Sequence, residues 1–125
     1  MTPYLCSIRA LARAMTADAS GAIEDAERIV ADPGASYLDR VIAGTAGAAA
    51  RMQLGDREAA LERFDQAKAV AADAGDVVAR ELVALTRSVV LSEERHLEVG
   101  HLGSGWKLVA ESLAALVVGV SGEPV

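Results

Sequence analysis

The stretch Leu54-Gly-Asp-Arg-Glu-Ala-Ala-Leu-Glu-Arg-Phe-Asp-Gln-Ala67 decides how the rest of the chain is read. Gly55 accepts the left-handed backbone that closes a helix. Asp56 offers a side-chain oxygen to the free N–H groups of the next helix, and Glu58 suits the positive end of its dipole. Leu61, Phe64, Ala67 or Lys68, and Ala71 then recur at spacings of three and four. That spacing predicts a helix over Asp56–Ala74 with one apolar face. The segment is thus a tight turn between two antiparallel helices.

Reading outward gives the same grammar. Thr2 caps a helix from Pro3 to about Ala17, and proline fits the first helical position. Its apolar stripe is Leu5, Ile8, Leu11 and Met15. A second helix covers Ser20–Ala31, with Ile23, Ala26 and Val30 inward and Glu24, Asp25, Glu27 and Arg28 toward water; Asp32-Pro-Gly34 stops it. Ser36-Tyr-Leu-Asp39 has capping-box spacing and opens a third helix to Gln53. Gly44 and Gly47 weaken that helix by about 1 kcal/mol each relative to alanine, which makes sense where another helix passes very close. A fifth helix begins at Asp76, with Val78, Leu82, Leu85 and Val89 inward, and runs to about Glu98. A loop around Gly100, Gly103 and Gly105 leads to a sixth over Trp106–Val120.

Laying Ala17-Asp18 over Gly55-Asp56 gives a register of 38 residues. It pairs Ala10 with Ala48, Arg13 with Arg51, Ala22 with Ala60 and Ile23 with Leu61. Gly55-Asp56, Ala60, Leu61, Phe64 and Ala67 match the turn and second helix of the tetratricopeptide repeat, and over roughly residues 5–92 the chain resembles that family. Asp18, Ala22 and Ile23 carry the match in the first unit. Gly44 and Arg51 stand where the family has bulky aromatic positions, and the period exceeds its usual 34 residues or so. The resemblance is to the longer, divergent repeats of large bacterial signalling and transcription regulators. It implies an all-α fold of antiparallel helix–turn–helix repeats stacked as a short α-solenoid of about six helices. The units would be about 3–34 and 36–75, with a divergent third over 76–120, in one domain spanning 1–125. The implied function is a non-catalytic module that binds a protein or peptide, as part of a larger regulator.

Composition narrows the partners. The net charge of −6 disfavours nucleic acid and anionic membrane. Cys6 is the single cysteine, so no intrachain disulfide forms, and Arg9 and Arg13 interrupt any signal-peptide pattern. The longest apolar run, Leu113–Val118, falls far short of the roughly 20 residues that span a bilayer. These features together predict a cytoplasmic protein. The arginine-rich, lysine-poor, asparagine-free composition resembles that of GC-rich actinobacterial proteins.

Candidate chemistry is thin. His96 and His101 are five residues apart, whereas helical metal ligands sit three or four apart on one face. Gly100-His-Leu-Gly-Ser-Gly-Trp-Lys107 has Trp106 where a phosphate loop needs its lysine, and a helix rather than a strand precedes it. Both segments therefore read as a helix end and a connector. Cys6 reads as a small buried apolar residue. No catalytic residue, metal or cofactor is expected. Arg13, Arg51 and Arg87 recur at similar intervals, and a ladder of them on a groove would favour an acidic peptide or carboxylate. Trp106 is a further candidate for partner contact. An exposed Leu113–Val120 face would make the sixth helix a self-association surface and the chain a homodimer. The competing reading is a helical bundle with a small-ligand pocket, acting as sensor or enzyme. It needs polar groups converging in the core, and the expected inner faces are almost wholly alanine, valine, leucine and isoleucine.

Overall fold

A computed structural model describes the backbone of residues 1–96 and the side chains of residues 1–92. All regular structure among them is helical: α1 (Pro3–Met15), α2 (Ala19–Val30), α3 (Tyr37–Gln53), α4 (Arg57–Asp73) and α5 (Val77–His96). The expected sixth helix lies outside the described residues, as do Trp106, His101 and the Gly100–Lys107 segment. Among the described residues no helix is long and apolar enough to cross a membrane.

Capping residues set the helix starts. Thr2 and Asp18 accept from the backbone N–H of Leu5 and Gly21, and Asp56 from Ala59. Ser36 and Asp39 form the full reciprocal capping box of α3. Three turns share one closing pattern. The N–H groups of Asp18, Asp56 and Asp76 reach back to the carbonyls of Arg13, Arg51 and Ala71, at 2.8, 3.0 and 3.0 Å. The residue before each aspartate is left-handed: Ala17 at φ 64°, Gly55 at 81° and Gly75 at 71°. This is the Schellman arrangement, which satisfies carbonyls that the helix end leaves open.

These short turns force each helix to run antiparallel to the one before. Helix α3 is the centre, with 11 of its 17 residues buried, and it packs against all four others. Helix α1 also packs on α2, and α5 on α4. Gln53 of α3 donates through Nε2 to the Ala14 carbonyl of α1 at 2.6 Å, so the two C-terminal ends meet. Tyr37 at the start of α3 donates to Asp76 at the start of α5, at 2.9 Å.

The core differs between the two halves. Where α1, α2 and α3 meet, one cluster is alanine, Ala10, Ala14, Ala19, Ala22, Ala46 and Ala50, and a second holds Cys6 and Ile29 with Ala26, Ala35 and Ala43. Between α3, α4 and α5 it is built on Phe64, with Val41, Val83 and Val90 around it. Of the two glycines of α3, Gly47 serves close approach, as expected. A Cβ at Gly47 would come within 2.8 Å of the Ala26 methyl on α2, and one at Gly44 within 3.4 Å of the Ala67 methyl on α4.

Three sequence expectations are corrected. The buried face of α1 is Cys6, Ala10 and Ala14 with Ser7, while Leu5 and Met15 are exposed. The buried residues of α5 include Ala79, Val83, Thr86 and Val90, and Val78 is exposed. In α2, Val30 is exposed and Asp25, expected in water, is fully buried. The core is also less uniformly apolar than expected, because Ser7, Asp25, Asp39, Thr45 and Thr86 are buried as well. Thr45 and Thr86 donate their hydroxyls to the carbonyls of Val41 and Leu82, and Ser7 to Tyr4, so these groups need no water.

Candidate functional site

Two charged clusters lie on opposite faces of α2. Asp25 and Glu27 are two residues apart, so their side chains diverge. Asp25 points toward α1. Arg9 grips it with two hydrogen bonds, Nε to Oδ2 at 2.9 Å and an NH2 contact to Oδ1 at 2.7 Å. Arg13 adds a third at 3.1 Å, and Arg28 stands 3.7 Å away. The Arg9 hydrogen bonds hold the Asp25 carboxyl below the usual range, against the upward push of burial, and the charges of Arg13, Arg9 and Arg28 add to them. The same contact raises the Arg9 guanidinium. This cluster is locked internally: its buried carboxylate has its partners, Arg13 also meets Asp18 at 3.6 Å and Arg28 meets Glu24 at 3.3 Å, and it joins α1 to α2.

The second cluster lies in a cleft between α2 and α4, floored by α3. The cleft has a volume of about 110 Å³. Gly44, Gly47, Ala26 and Ala67 make its floor, with Ile23, Val30 and Val70 on the walls. The absent glycine side chains let the helices approach and also open this space. Three arginines line it: Arg40 and Arg51 from α3, and Arg63 from α4. Arg51 donates to Oε1 of Glu27 at 3.1 Å, and the Arg63 guanidinium forms an ion pair with the same oxygen at 2.9 Å. Arg51 also approaches Asp56 at 4.0 Å, and Arg63 donates to Gln66 at 3.2 Å. Arg40 donates to a backbone carbonyl, that of Asp32, at 3.1 Å. Three guanidiniums and one carboxylate thus line the cleft, in a chain whose net charge is −6.

The arginine ladder is not one surface. Arg13 holds Asp25 on one side of α2, and Arg51 holds Glu27 on the other. Arg87 is exposed on α5. Arg51 alone of the three lines the cleft, where it meets Arg40 and Arg63, which sequence reading did not single out. The residues that define the repeat resemblance are placed as follows: Ala60, Phe64 and Ala67 are buried, Leu61 is half-buried, and Gly55 and Asp56 form the α3–α4 turn. The Cys6 thiol is buried and lies 3.8 Å from the Asp25 carbonyl oxygen. Among the described residues no group of three or more His, Cys, Asp or Glu is placed to hold a metal.

A signal for Arg63 was present in the register. It stands 38 residues after Asp25, so the second unit has an arginine where the first has its buried acid. Glu27, on α2, supplies a carboxylate to both Arg51 and Arg63. No family model, curated protein or solved structure matches the chain.

Proposed function

We propose that this chain is a non-catalytic interaction module of tetratricopeptide-like architecture, belonging to a larger regulator and binding a peptide or a neighbouring domain. The observation that carries the reading is the α2–α4 cleft, whose lining is largely apolar and carries three guanidiniums. Three features of the fold support a stacked-repeat architecture: each helix packs on its successor, α3 also touches α1 and α5, and the three turns close alike. The alanine-lined contacts around α3 are what stacking of helix pairs requires. The cleft's size favours a side chain or short segment over a cofactor, because small-molecule sites span roughly 300–1,000 Å³.

The test is a panning experiment with a random peptide library displayed on phage, followed by calorimetry on the enriched sequences. A consensus that binds in the micromolar range, about −8 kcal/mol, supports the reading. Failure to enrich any sequence, combined with turnover of a compound in a broad hydrolase and transferase screen, would replace it with an enzyme.

A further inference from the structure

We infer that the α2–α4 cleft is a receptor for an acidic segment of a partner, and that Glu27 is the internal stand-in for that segment's carboxylate. The inference rests on the interaction-module reading above and names the chemistry of the partner. Charge complementarity is the first argument. Arg40, Arg51 and Arg63 line one cleft, and the carboxylate among its lining residues is Glu27. Both contacts to Glu27 fall on the same oxygen, Oε1. Guanidiniums hold carboxylates best through paired N–H···O bonds, and that geometry is unused here. Arg40, at the other end, is engaged among the described residues by the Asp32 carbonyl.

Spacing gives the second argument. Arg40 and Arg51 are 11 residues apart on α3, a rise of about 16 Å. An extended chain covers that length in about five residues, with alternate side chains on one face. The fitting occupant is therefore an extended segment with two acidic residues four apart and a small apolar residue between them. Its small residue would sit over Gly44 and Gly47. One carboxylate would meet Arg40, and the other would take Arg63 and Arg51 from Glu27. Glu27 is well placed to yield, since its side chain is 45% exposed and gains water on release.

The experiment uses a fluorescein-labelled peptide with the core Glu-Val-Ala-Val-Glu flanked by serines, beside a control with Gln in place of both Glu. Anisotropy is read at low and high salt. The acidic peptide is expected to bind, the control at least tenfold more weakly, and the difference to shrink with salt. Glu27→Gln should tighten the acidic peptide severalfold, while Arg63→Gln and Arg40→Gln should each weaken it about tenfold. Amide resonances of Gly44 and Gly47 in the wild-type chain should move on titration, which keeps the test decisive if an arginine variant misfolds. Equal binding of both peptides would overturn the inference. So would no binding to either the wild type or Glu27→Gln. In both cases the module reading survives if the phage library yields a consensus that docks elsewhere.

Discussion

Asp25 has no solvent contact, and its charge is sustained by Arg9 and Arg13 alone at hydrogen-bond distance. Asp25→Asn removes the charge and leaves the guanidiniums clustered. The expected cost is about 2 kcal/mol in urea denaturation, less than for a fully buried pair because both arginines remain about a third exposed. The pH dependence has a definite sign. The folded carboxyl is depressed below its unfolded value, which is near 4. Its contribution is therefore complete above about pH 4 and is lost as pH falls through the folded value. The stability gap between wild type and Asp25→Asn should hold at neutral pH and narrow at the acid end. Ala17 gives the opposite kind of prediction. It occupies a left-handed turn that Gly55 and Gly75 occupy without a Cβ. Ala17→Gly should raise stability by about 1 kcal/mol, read as an increase in the urea midpoint.

The helices show why bulk misleads as a guide to the buried face. Sequence reading placed the larger apolar residues of α1 and α5 inward. Helix α1 instead buries Cys6, Ala10 and Ala14, because helices that approach closely select small residues at the contact. Helix starts and turns were legible, since a capping oxygen or a left-handed glycine acts on its own few neighbours. Facing was not, because it depends on which helix arrives alongside. The two glycines of α3 test the point. Gly47→Ala would press a methyl against Ala26 and should destabilise the chain by about 1–3 kcal/mol despite better helix propensity. Gly44→Ala meets Ala67 at ordinary van der Waals distance and should be neutral, or stabilising by up to about 1 kcal/mol. Thermal melts of the pair would separate them, and equal melting temperatures would show that α2 can move away from α3.

Across the molecule, the two halves of the core should fail in opposite ways. The α1–α2–α3 contact has one cluster made only of alanine beside a second that holds Cys6 and Ile29; the alanine cluster has little to lose by truncation and no room for growth. Ala22→Leu should cost about 1–3 kcal/mol through overpacking. The α3–α4–α5 half depends on Phe64, its one large aromatic. Phe64→Ala should cost about 3–5 kcal/mol, enough to unfold much of a marginally stable domain at room temperature. Circular dichroism during urea titration measures both. The charge pattern belongs to this scale too, since a chain of net charge −6 gathers Arg40, Arg51 and Arg63 in one place only by folding.

The sequence by itself determined the helical class, the capping residues and the tight turns, all of which rest on interactions within a few residues along the chain. The Leu54–Ala67 stretch carried most of that information. Tertiary structure alone decided that Asp25 is buried, that Arg13 and Arg51 lie on opposite sides of α2, and that Arg40 and Arg63 join Arg51 around one cleft. Those facts depend on the rotation of each helix about its axis, which is set by close packing against helices distant in sequence.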